Sequence, residues 1–135
     1  MRDIEFRAKW KSDNPERDGR WVYGFYVRAL HGETRELTDF ILESDAMVRV
    51  VHGETVGEYT GLLDKNGVKI FGGDIVKGRS DNHIIGHEDC SFVITTVAST
   101  LSLILSPGLL EKNPMEVIGN IHDNPELLER KNAGN

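Results

Sequence analysis

A chain of 135 residues with 39% hydrophobic and 28% charged side chains is long enough to bury a core and too apolar to be generally disordered. Its formal net charge of −6 argues against a protein whose main work is neutralising phosphates, and its single cysteine, Cys90, excludes an internal disulfide framework and a four-cysteine zinc site. The longest apolar run, residues 101–105, falls far short of a bilayer span, and no signal segment is visible; the expectation is a soluble, cytoplasmic chain with no membrane partner.

Ile4, Phe6, Ala8 and Trp10 alternate with Glu5, Arg7 and Lys9, the period of a half-buried strand. Residues 11–20 are polar or turn-forming, with Asn14-Pro15 and Asp18-Gly19 as the breakers. Trp21, Tyr23, Phe25 and Val27 then alternate with Val22, Gly24, Tyr26 and Arg28, which predicts an antiparallel hairpin with the large aromatics turned to the core. Residues 37–43 are too short to separate helix from strand. Residues 47–51 read as a short strand ended by His52-Gly53-Glu54.

Residues 55–59 are a strand candidate, and Asp64-Lys65-Asn66-Gly67 is a tight turn. Val68, Ile70, Ile75 and Val76 continue extended around a bend at Gly72-Gly73. Residues 78–91 read as a long loop or open hairpin end, and residues 92–106 as two strands with a turn near 98–100, the second stopped by Pro107-Gly108. Residues 117–121 are the last strand. Asn124-Pro125 opens a short helix docked by Leu127 and Leu128, with Asn124 as its cap. The sum is one mainly β domain over residues 1–135, an antiparallel unit with an N-terminal hairpin and a short C-terminal helix.

Chemistry candidates are few. Asp81, His83, His87, Glu88, Asp89 and Cys90 collect zinc-ligand types, yet the bland reading is a solvated loop, and no metal or other cofactor is expected. Cys90 beside His87 reads as a small hydrophobe rather than a thiolate–imidazole pair. Asp74, at a glycine-marked bend, suits a turn-fixing carboxylate better than a general base. Six of the ten aromatics lie in residues 1–28, with seven Lys and Arg against five Asp and Glu. That admits a nucleic-acid face built from Tyr26 and the arginines, Arg7 and Arg28 among them, though the other aromatics are assigned to the core. No phosphate-binding glycine loop, nucleophile elbow or zinc-protease helix is present, and no catalytic residue is assigned.

Five blocks in order carry a resemblance: Phe6-Arg7-Ala8-Lys9-Trp10; Tyr23-Gly24-Phe25-Tyr26-Val27; Glu58-Tyr59-Thr60-Gly61-Leu62-Leu63-Asp64-Lys65-Asn66-Gly67; Ile70-Phe71-Gly72-Gly73-Asp74-Ile75-Val76-Lys77; and Val117-Ile118-Gly119-Asn120-Ile121-His122-Asp123-Asn124-Pro125-Glu126-Leu127-Leu128. In this order and spacing the chain resembles the YopX family of phage and prophage proteins over about residues 3–129. The resemblance implies a cytoplasmic β-rich protein of unestablished biochemical role, with no catalytic or cofactor residues to transfer. It also implies that the glycines and Asp74 are architectural, and by analogy that the fold is a small, strongly bent barrel. The leading expectation is a non-enzymatic, prophage-encoded module that self-associates and binds a host or phage macromolecule, with the apolar strand at residues 101–105 as a candidate edge. The alternative is a nucleic-acid binder using the N-terminal hairpin. An enzyme built on Asp74 or the His83 to Cys90 loop stands third.

Overall fold

The computed structural model describes residues 4–88, 90–99 and 101–129. The described residues are mostly strand, as the alternation predicts. In chain order they form β1 (Phe6–Trp10), β2 (Trp21–Leu30), β3 (Leu37–Leu42), β4 (Val48–Leu63), β5 (Lys69–Phe71), β6 (Asp74–Lys77), β7 (Asn82–Glu88), β8 (Ser91–Thr96), β9 (Ser102–Ile104), α1 (Pro107–Lys112) and β10 (Glu116–Asn120), with a 3-10 turn over Pro125–Leu128. Two compact units divide the chain after Tyr59.

In the first unit β1, β2, β3 and β4 pair antiparallel in that order, and β4 returns to pair with β1, which closes a four-stranded barrel. The predicted hairpin is β1–β2, with Ala8 opposite Val22 and Lys9 opposite Trp21. Ala8, Val22, Ile41 and Val51 fill the interior, with Phe6, Trp10, Tyr26 and Val56 packed against them. The period of β2 is therefore right and its predicted phase is inverted. Val22 and Tyr26 point inward, whereas Tyr23 is 45% and Phe25 58% exposed. A barrel of so few strands has room inside for small side chains and a few aromatic edges, not for a full row of large rings.

β4 corrects a second expectation. It runs unbroken through His52-Gly53-Glu54, because the extra residues form a bulge against β1: Lys9 pairs with His52, and Arg7, two residues back, pairs with Gly57. Thr55 holds the bulge, accepting the Lys9 N–H at 2.8 Å and donating to the His52 carbonyl at 2.6 Å.

In the second unit the end of β4 pairs with β5 around the predicted Asp64 turn, where Gly67 takes a φ of +79°. A five-stranded antiparallel sheet follows in the order β10-β6-β7-β8-β9. Ile70, Val76, Ile85, Ile94, Leu105 and Met115 make its core. Of the two readings of residues 78–91, the hairpin end holds and the loop does not: β7 pairs with β8 there and with β6 on its other side, despite its polar sequence. Pro107-Gly108 does more than end a strand: Ser106 caps α1 by accepting the Leu109 N–H, and Pro107 takes the first turn. At the C-terminal turn Asn124 makes no cap; its side chain instead accepts the Asn120 N–H.

Candidate interaction surfaces

Three polar side chains stand out in the blocks that carried the resemblance, and all three serve the backbone. Asp64 Oδ1 accepts the N–H groups of Asn66 and Val68 at 2.8 and 2.9 Å, and its Oδ2 accepts that of Val117 at 2.9 Å. Asp74, 1% exposed, accepts the Phe71 N–H at 2.8 Å and so braces the bend before β6. Asn120 Oδ1 accepts the N–H groups of His122 and Asp123, and its amide donates to Asp123. These are turn-fixing arrangements in which a side-chain oxygen replaces a missing backbone partner.

The His83 to Cys90 segment spreads its side chains along one hairpin. His83 on β7 is half-buried and its Nδ1 lies 3.0 Å from the Thr96 hydroxyl. His87 is exposed and meets the Phe92 ring edge-on. Glu88, Cys90 and Asp81 are exposed, with Cys90 at φ +66° in the β7–β8 turn; Asp89 lies outside the described residues. Among the described residues no three His, Cys, Asp or Glu side chains gather to hold a metal ion. Burial holds the His83 imidazole below its ordinary value, against an opposing pull from Asp81. In a pH titration followed by NMR, the His83 ring signals are expected to shift below the ordinary imidazole range; a midpoint at or above it would contradict the packing.

The N-terminal hairpin distributes its cations differently from the expected nucleic-acid face. Arg7 is buried, and its guanidinium lies 4.6 Å from the centre of the Trp21 ring, with the Lys9 ammonium 5.5 Å from the same ring. Arg49 sits 4.4 Å over Trp10 and holds Glu43 at 3.0 Å. Tyr26, assigned to the surface by the alternation, is turned inward and donates to Asp39; that hydrogen bond and burial raise its phenol above the ordinary value. Arg28 remains largely exposed, with its Nε 3.9 Å from Asp39.

A family model described as YopX protein matches residues 5–129. The chain belongs to the YopX family. Among solved structures it is similar to the crystal structure of protein EF1440 from Enterococcus faecalis, with 28% identity and a TM-score of 0.57, covering 96% of this chain and 100% of that one. A comparison with curated proteins returns no match. Among the described residues no helix is long and apolar enough to cross a membrane.

Asp64, Asp74 and Asn120 are engaged in turns, and both units carry an exposed apolar surface. On the barrel, the ladder lines up Phe25, Leu42 and Val48 across three strands, all three exposed. On the second sheet, β9 is a terminal strand that pairs among the described strands with β8 alone, and Leu103 and Ile104 on it are 49% and 68% exposed. Neither surface is readable from a motif. The first had no signal in the sequence, since both faces of β2 carry hydrophobic residues; the second was marked by the apolar run at residues 101–105.

Proposed function

We propose that this YopX-family chain is a non-enzymatic module of phage or prophage origin that self-associates and acts by binding a host or phage macromolecule. The observation that carries the reading is the β9 edge. Terminal strands are ordinarily guarded by charge, proline or a covering element, because their unpaired N–H and C=O groups template another strand. β9 has Leu101 before it and Leu103 and Ile104 within it, all exposed, and the whole stretch of residues 91–110 contains no Asp, Glu, Lys, Arg or His. In a chain of net charge −6, a charge-free edge is where two copies approach with least repulsion. The non-enzymatic part is supported by Asp64, Asp74 and Asn120, whose side-chain oxygens accept backbone hydrogen bonds.

Sedimentation velocity at tens of micromolar tests the reading. Self-association is expected, and Ile104→Lys combined with Leu103→Lys should weaken it at least about tenfold while circular dichroism stays β. A strict monomer at that concentration removes self-association. A gel shift at low salt that disappears in Arg28→Glu would move the macromolecular partner from protein to nucleic acid.

A further inference from the structure

The barrel of the first unit carries an apolar groove that strand pairing at β9 does not use. Ile4, Tyr23, Phe25 and Leu42 line it, enclosing about 630 Å³, a size within the range of pockets that bury small ligands. Ile4 is 60% exposed there, so its apolar surface faces solvent rather than the core. Among the described residues, the charged side chains of the lining are the carboxylates of Glu5 and Glu43, and the lining holds no Lys or Arg. Asp45 adds a third carboxylate in the turn that follows, with its Oδ1 accepting the Met47 N–H at 3.0 Å.

We propose that this groove takes an extended segment of a partner protein in which bulky apolar side chains alternate with lysine or arginine. The apolar floor supplies area and the carboxylates select the charge of what lies on it. Both carboxylates are already engaged, Glu43 with the Arg49 Nε and Glu5 with contacts of its own, but a carboxylate offers about four acceptor sites, so each accommodates a further cation. Two alternatives fit less well. A second copy meeting the groove about a two-fold axis sets Glu5 and Glu43 against their own images, in chains that each carry −6. A nucleic acid brings phosphates to a rim of carboxylates.

Fluorescence anisotropy with a short fluorescein-labelled peptide alternating leucine and lysine, set against its leucine–glutamate counterpart, tests the proposal. The lysine peptide is expected to bind, and the glutamate peptide to bind at least about tenfold more weakly. Phe25→Ser and, independently, Ile4→Ser should each weaken the lysine peptide about tenfold, and Glu5→Lys should do so without loss of the apolar floor. The β9 variant Ile104→Lys should leave this binding unchanged, which separates the groove from the self-association surface. No binding, equal binding of the two peptides, or binding indifferent to both Phe25→Ser and Ile4→Ser would overturn the proposal. So would dissociation of an oligomer by Phe25→Ser, which would make the occupant a second copy.

Discussion

Replacing Gly24 with alanine is expected to unfold the protein or to lower its stability by about 3 kcal/mol or more, one of the largest single-site effects available in the barrel. β2 and β3 approach so closely at this point that a Cβ on residue 24 would stand 2.0 Å from the Leu42 carbonyl oxygen and 2.8 Å from its carbonyl carbon. Both atoms are backbone, so no rotamer change relieves the overlap; the ladder from Phe25–Leu42 to Leu30–Leu37 has to shift. A strand glycine with a neighbouring backbone this near is a packing requirement. Gly32→Ala is the control, because nothing lies within 4 Å of its added methyl, and a change within about 0.5 kcal/mol is expected there. Urea unfolding of the two variants decides the matter: equal midpoints would show that the barrel does not depend on the contact.

Asp64→Ala should cost about 2–4 kcal/mol, because one carboxylate holds three backbone N–H groups from Asn66, Val68 and Val117 and its loss leaves all three without that acceptor. The Val117 bond also ties the β4–β5 turn to β10, so its loss should loosen the second unit and not only the turn. The pH dependence follows from the same geometry. Burial pushes the Asp64 carboxyl up, but the hydrogen bonds from Val117, Val68 and Asn66 and the charge of Lys65 outweigh it and hold it below the ordinary carboxylate value. A carboxyl that binds its proton less readily when folded stabilises the fold above its unfolded pKa. That contribution disappears as pH falls through its folded value. Stability measured by urea between neutral pH and pH about 3 should therefore decline on acidification, and Asp64→Asn should flatten part of the decline. An unchanged slope in Asp64→Asn would place the acid sensitivity in other carboxylates.

How much of this was legible in the chain differs from strand to strand. The β1–β2 hairpin, the Asp64 turn, the bend before Asp74 and the last strand were all marked by local chemistry: alternation, Asn-Gly, paired glycines. β7 was not, because Asn82, His83, His87 and Glu88 look like loop residues, and only pairing with β6 on one side and β8 on the other makes them a strand. The helix at Pro107–Lys112 was hidden in Ser106, which ends an apparent strand, and in Pro107-Gly108, which looks like its stop; Ser106 and Pro107 in fact form a helix start. Of the candidate surfaces, the β9 edge was marked by the apolar run at residues 101–105, whereas the barrel row was not legible, since an exposed apolar row differs from a core row only in what covers it.

Alternation, turn residues and the family's ordered blocks determined by themselves that this is an antiparallel β protein of the YopX family, since those signals act within a few residues of where they are written. Closure of the barrel decided the rest. Both faces of β2 carry hydrophobic residues, so its period has no preferred phase until β4 returns to β1; the narrow interior then admits Val22 and Tyr26 and turns Phe25 outward. The same long-range pairing converted His52-Gly53-Glu54 from a break into a bulge, because a strand end and a strand distortion differ only in whether a partner ladder continues beyond them.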